Sequence, residues 1–225
     1  KTMERRIDLA EISDGKRYGS EDMVKAGCAD CQGCSACCRG MGDSILLDPY
    51  DVCRLSEGLK TGFEELMKGA VGLTMADGLI LPHLKMAGES ESCSFLDENG
   101  RCSIHSFRPG FCRLFPLGRI YENGSFWYFL QIHECRKEKR SKVRIRKWLD
   151  IPELARYETF ISDWHYFTKD LGERIQSLGS EGQEQSKKLC LYVLNRFYIE
   201  PYGGMEHFYD RFYERFAEAQ TLVRN

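Results

Sequence analysis

Cys28-Ala29-Asp30-Cys31-Gln32-Gly33-Cys34-Ser35-Ala36-Cys37-Cys38 puts five thiols into eleven residues padded with Gly, Ala and Ser. Thiolates two residues apart form knuckles: the backbone turns so that both sulfurs face one tetrahedron around a soft cation. Five thiols exceed what one tetrahedral ion can use, so the run calls for further ligands or a larger inorganic core. More thiols follow at Cys93, Cys102, Cys112 and Cys135, with Cys93 and Cys102 on either side of the turn Asp97-Glu98-Asn99-Gly100. Nine of the eleven cysteines lie between Cys28 and Cys112, and Cys190 stands by itself in the last ninety residues. The odd count and the adjacent Cys37-Cys38 pair, which could bridge only with strain, argue against a disulfide framework. Metal is the better explanation of this density.

Around that run, 42% apolar and 29% charged residues exclude wholesale disorder. The longest apolar run, Phe126–Leu130, is far short of the roughly 18 residues of a membrane span. Lys1–Arg6 lead into charged sequence with no apolar stretch, which reads as no secretory signal and a cytoplasmic protein. A net charge of −2 gives no overall pull toward nucleic acid or anionic lipid. The expected organisation is a lead-in segment over 1–27, a cysteine-cluster metal-binding domain over 28–136, and a helical domain over 137–225 that starts with a basic linker.

Local signals fill in the elements. Asp48-Pro49 reads as an N-cap and first helical residue of a helix that turns Val52 and Leu55 inward and ends near Gly58. A short helix over Thr61–Gly69 follows. Asp77-Gly78 and Asn123-Gly124 each sit between strand-like runs and predict tight hairpins. After residue 148 the pattern becomes helical: Leu154, Tyr157, Phe160, Ile161, Trp164, Phe167, Leu171 and Ile175 recur at three- and four-residue steps, and Gly179 stops the run. A second helix spans about Gln183–Tyr198, and a third presents Phe208, Phe212 and Phe216. Their aromatic face reads as core. The fold class is α+β: an irregular, metal-nucleated cysteine-rich module with short β-hairpins, packed on a C-terminal helical bundle.

The ordered motifs Cys31-x2-Cys34-x2-Cys37-Cys38, Cys93-Ser94-Phe95-Leu96, Gly100-Arg101-Cys102-Ser103-Ile104 and Arg108-Pro109-Gly110-Phe111-Cys112-Arg113-Leu114-Phe115-Pro116, with Cys135 beyond them, closely resemble the YkgJ-type cysteine-cluster (CxxCxxCC) family of zinc- or iron-chelating domains. The resemblance covers roughly 28–136 and implies eight metal ligands: Cys31, Cys34, Cys37, Cys38, Cys93, Cys102, Cys112 and Cys135. Asp48 falls where that family has an Asp-led helix. Two positions depart from the pattern: His105 stands where relatives carry Tyr, and Cys28 is an extra thiol ahead of the motif. A more distant similarity, to flagellin lysine N-methylases, implies a [4Fe–4S] centre, S-adenosylmethionine and modification of a protein or peptide.

The metal stays open between two choices. Cys28-x2-Cys31-x2-Cys34-x3-Cys38 reproduces the bacterial ferredoxin spacing, apart from Arg39 in place of the usual Pro. Zinc, for its part, accounts for any four thiolates. Arg108 and Arg113, flanking Cys112, are candidates for binding a cofactor's carboxylate or phosphate; the structural alternative pairs them with Asp48 or Asp51. Cys53 and Cys190 read as small buried hydrophobes, Cys28 is open, and His105 and His133 read as non-ligands. Arg136–Lys147, with eight basic residues in twelve, reads as a solvated helical face. Partners are then an unidentified protein or peptide, with membrane excluded and nucleic acid disfavoured. Nucleotide-binding glycine motifs, the radical-enzyme C-x3-C-x2-C spacing, HExxH and a Ser-His-Asp arrangement are all missing. The functional expectation is a cytoplasmic metalloprotein holding a [4Fe–4S] cluster or zinc, in support of protein or peptide modification; the alternative is a non-catalytic zinc-binding interaction module.

Overall fold

The computed structural model describes residues 9–28, 34–137 and 139–224. It is α+β, with four two-stranded antiparallel hairpins or ribbons among the described residues and helix dominating after residue 153. The elements in order are α1 (Leu9–Ile12), β1 (Met23–Gly27), a 3-10 turn at Ala36–Cys38, α2 (Pro49–Leu59), α3 (Phe63–Lys68), β2 (Val71–Ala76), β3 (Leu79–Leu84), β4 (Met86–Ala87) and β5 (Ser92–Cys93). Then come a 3-10 turn at His105–Phe107, α4 (Gly110–Leu114), β6 (Leu117–Glu122), β7 (Ser125–Leu130), β8 (Ser141–Arg144), α5 (Ile145–Leu149), α6 (Leu154–Ser177), α7 (Gln183–Leu194) and α8 (Phe208–Arg224). No described helix is long and apolar enough to cross a membrane.

Two compact units interleave along the chain. One takes Asp43–Lys85 and the residues from Asp163 onward; the other takes the described residues up to Gly42 together with Met86–Ser162. In the first unit, Asp48 caps α2 as its sequence suggests. Its carboxylate accepts from the Asp51 N–H (2.8 Å), the Asp51 carboxylate accepts from the Asp48 N–H (3.3 Å), and Pro49 opens the helix. Hairpin β2–β3 pairs from Val71↔Leu84 to Ala76↔Leu79, which leaves Asp77 and Gly78, both at positive φ, as its two-residue turn. The core of this unit is the expected aromatic face: Trp164 meets Phe197 and Phe212, and Phe208, Phe212 and Phe216 stack along α8. Phe197, Phe208 and Phe212 are fully buried.

The end of α7 was not anticipated. Asn195–Ile199 form a π-helical turn in place of a continued α-helix. Arg215 of α8, 4% exposed, donates to the carbonyls of Arg196 (2.9 Å), Glu200 (2.8 Å) and Pro201 (3.0 Å) and stacks on Tyr202. A buried guanidinium thus satisfies carbonyls that the irregular turn releases.

The second unit is built on hairpin β6–β7, paired from Leu117↔Leu130 to Glu122↔Ser125 around Asn123-Gly124, and on the ribbon β1–β8. Its core includes Val24, Tyr128, Ile145, Leu149, Tyr157 and Phe160. Only Ile145–Lys147, at the start of α5, carry the helix read over the whole basic stretch from its sequence. Ser141–Arg144 is a strand because β1 offers it a partner, and Arg144 and Arg146 both pair with Glu21 (3.0 and 2.8 Å).

Removing the Asp48 cap tests the reading of α2. Asp48→Ala should lower stability by about 1 kcal/mol, the usual cost of an N-cap carboxylate. A guanidinium unfolding midpoint equal to that of the wild type would contradict it.

Candidate metal centre

The clustered thiols, Cys28, Cys34, Cys37, Cys38, Cys93, Cys102, Cys112 and Cys135, all lie in the second unit. The ten described cysteines are free thiols; Cys31 lies outside the described residues. Short backbone stitches bring the rest together. Arg39, directly after Cys38, forms a β-bridge with Ser92, directly before Cys93, and Gly40 N–H donates to the Glu91 carbonyl (2.9 Å). The Arg39 guanidinium reinforces this through Ser92 Oγ (2.5 Å). Cys93 and Cys102 stand at the two ends of the expected turn. Leu96 bridges Cys102, Asp97 N–H donates to the Arg101 carbonyl (2.8 Å), and Asp97 Oδ1 accepts from the Asn99 and Arg101 N–H groups (2.9 and 2.7 Å). The Asp97 side chain thus organises its own loop, as Asx turns do.

The result is a group of thiols close enough to feel one another. Cys37 is pushed far above the usual thiol range, first by a thiol–thiol hydrogen bond with Cys38, then by burial. Cys93 and Cys102 are raised mainly by burial, with Cys37 adding to both and Cys93 to Cys102. Arg108 acts the other way: its positive charge favours the thiolates of Cys37 and Cys102. Its guanidinium donates to the His105 carbonyl (2.8 Å) and lies against the His105 imidazole.

A second grouping shares Cys37. Cys28, Cys34, Cys37 and Cys135 line one pocket together with Ala36, Phe115, Pro116, Glu134, Arg136 and Lys137. Cys112 sits half-buried on α4, just ahead of the Phe115-Pro116 wall, and is not among the lining residues. Arg113, 2% exposed, is occupied with main-chain oxygens. It donates to the carbonyls of Ser106, Arg108 (3.2 Å), Leu149 (3.2 Å) and Asp150 (3.0 Å), with the Asp150 carboxylate 3.9 Å away. It therefore ties the loop before α4 to the end of α5, a holding role that the sequence did not reveal. Asp48 and Asp51, named as its alternative partners, cap α2 in the other unit. Cys53 and Cys190 are buried in that other unit too, Cys190 donating to the Gly78 carbonyl (3.3 Å).

Among the described residues, no three His, Cys, Asp or Glu side chains are gathered closely enough to hold a single ion. The donor set nonetheless suits a soft metal: thiols of six motif positions fall into two adjoining groups, with one arginine supplying positive charge. The pocket wall also brings in Phe115, Glu134 and Lys137, whose part no ligand spacing could signal.

The comparisons agree with this chemistry. Residues 30–148 match the CxxCxxCC family, described as "Putative zinc- or iron-chelating domain", and the chain belongs to that family. No curated protein and no solved structure matches the chain. The likeness to flagellin lysine N-methylases therefore has no support here.

Two outcomes test this geometry. Thiolate is the nucleophile toward alkylating agents, and a raised pKa keeps the thiol protonated. In metal-free protein, Cys37, Cys93 and Cys102 should therefore be alkylated more slowly near neutral pH than an unfolded cysteine peptide, and should speed up as pH rises. Peptide-resolved mass spectrometry measures each rate; rates equal to the peptide's would refute the crowding. Arg113→Met strands several buried carbonyls and should cost about 3 kcal/mol in urea unfolding. A loss within ~0.5 kcal/mol, typical of a surface substitution, would assign the holding role elsewhere.

Proposed function

We propose that this protein is a thiolate metalloprotein whose clustered cysteines hold a [4Fe–4S] cluster. The observation behind this reading is that Cys34, Cys37 and Cys135 line one pocket while Cys37 also neighbours Cys38, Cys93 and Cys102. Donors spread on two sides of one thiol suit a core of several metal atoms better than one tetrahedral ion. Such a cluster supplies one-electron chemistry when bound. The protein's part would be to bind it through thiolates, offset their charge with Arg108, and shield one side with Phe115 and Pro116.

Zinc is the second reading, and one observation favours it. Cys37 and Cys38 lie on a 3-10 turn stitched beside Cys93, with Cys102 at the other end of its tight loop, and four thiols are the number that closes a structural zinc site. In that form the unit would serve as a metal-stapled interaction module.

Anaerobic purification followed by iron, sulfide and zinc analysis separates the two. The cluster reading expects iron and acid-labile sulfide in equal amounts, with a visible absorption that bleaches on reduction; zinc without sulfide selects the second. Cys37→Ser should lose at least half of the metal and destabilise the fold, because binding energy at such sites is folding energy. Cys190→Ser should keep its metal. A wild-type chain that is folded and monodisperse without stoichiometric iron or zinc would overturn both readings.

A further inference from the structure

A strand partner changes what the charges of the basic stretch can do. On a helix, Arg136–Lys147 would point basic side chains to every side; on a strand, alternate residues share one face. β8 pairs with β1 through Met23↔Arg144, Val24↔Val143 and Gly27↔Ser141. Val24 is buried against the core while Met23, Lys25, Ser141, Lys142 and Arg144 are exposed, so cations dominate the open side of the ribbon. Lys139 ahead of β8 and Lys147 on α5 are exposed too and carry the charge past both ends of the strand. We propose that this face is a docking surface for double-stranded DNA, held through its phosphates.

The basic residues there divide into two kinds. Arg144 and Arg146 are engaged by Glu21 at 3.0 and 2.8 Å, and the Ile145 N–H donates to the Asp22 carbonyl (3.0 Å). These contacts pin β8 and the start of α5 to the segment before β1. Lys25, Lys139, Lys142 and Lys147 have no acidic partner among the described residues. Lysines on sheet edges also deter strand pairing between molecules, but that role ends with the strand, and these charges continue beyond it.

The composition of the face selects the partner. A protein interface has an apolar or aromatic centre and is poor in Lys, whereas Met23 is the only exposed apolar side chain on β1 and β8. An interface with nucleic acid is polar and strongly positive. Single strands are held by stacking of bases on aromatic rings as well as by charge, and no exposed residue of the ribbon is aromatic. The B-form major groove, about 12 Å wide, admits a two-stranded ribbon, while that of duplex RNA is too narrow for side chains to read. The net charge of −2 does not forbid binding. At physiological salt, charges more than about 8 Å away are largely screened, so the ribbon's lysines act locally. Lysine contacts to phosphate carry no sequence information, so one duplex serves as well as another.

The assignment is independent of the metal reading above. Fluorescence anisotropy of the intact chain, at one measured metal content, on labelled duplexes of about 20 bp and two unrelated sequences tests it across a salt series. Wild type should bind both duplexes equally, with a dissociation constant of about 1–100 μM near physiological salt, and lose affinity steadily as salt rises. Lys25→Gln with Lys142→Gln should weaken both complexes alike and lower the salt slope by about two, one for each phosphate contact removed. Lys187→Gln with Lys188→Gln takes the same charge from α7, in the other unit, and should leave the slope at its wild-type value. No binding at low salt, an unchanged slope in the ribbon pair, or an equal drop in the α7 pair would overturn the assignment. Equal or tighter binding of duplex RNA or of a single strand of the same sequence would also overturn it, as would displacement of the duplex by polyglutamate at equal charge. Should the Lys25 and Lys142 pair fail to fold by circular dichroism, Lys139→Gln with Lys147→Gln carries the same expectation and is read in its place.

Discussion

Several sulfurs held within reach of one another cannot all ionise without a cation. Two thiolates about 4 Å apart repel by roughly 4 kcal/mol at the effective dielectric of a partly buried site. In the metal-free molecule protons absorb that cost: Cys37 is held far above an ordinary thiol by its hydrogen bond with Cys38, by burial and by the Cys38 charge, and Cys37 in turn adds to the burial that raises Cys93 and Cys102. A soft divalent ion or an iron–sulfur core removes the same cost by coordination, and structural zinc binding is worth about 10–16 kcal/mol in small domains. Coordination energy of that size exceeds the repulsion it relieves.

The scaffold around the thiols is correspondingly slight. β4 and β5 are two residues each, the segment holding Cys37 and Cys38 is a single 3-10 turn, and α4 has five residues. Elements this short do not stand alone in water. They are held by point stitches: Arg39 to Ser92, Leu96 to Cys102, and the Arg113 guanidinium across the carbonyls of the 106–108 loop and the end of α5. Arg113 repeats in this unit what Arg215 does in the other, a buried cation spread over main-chain oxygens where regular helix gives out. Both cases trade a costly desolvated charge for several satisfied carbonyls that would otherwise be stranded.

What could be read in the sequence was what neighbours in the chain decide. Asp48-Pro49 capped α2, Asp77-Gly78 and Asn123-Gly124 made their turns, Gly179 followed the end of α6, and the spacing of Trp164, Phe167, Phe208, Phe212 and Phe216 delivered the aromatic core. The family was legible too, because its motif is a spacing. Other features depend on partners far along the chain. A run of lysines and arginines carries no mark of strand until β1 is known to lie beside it, and nothing near Arg113 names the carbonyls of Leu149 and Asp150. The π turn after α7 has the same origin, since its carbonyls are answered from α8. The sorting of thiols around Cys37 is likewise a product of tertiary approach: spacing lists the donors without grouping them.

Burial by itself does not distinguish a ligand from a filler. Cys28, Cys53 and Cys190 are equally hidden, and composition treats them alike. What separates them is the chemistry on the far side of the sulfur. Cys190 faces a carbonyl, which asks only for a weak S–H donor, and Cys53 lies on a helix whose nearest charged influences are Glu57, Glu206 and Arg215. A small apolar residue could replace either at modest cost. Cys28 instead lines a pocket whose wall also includes Cys34, Cys37 and Cys135, so its surroundings are those of the cysteine-rich module and not of a helix core.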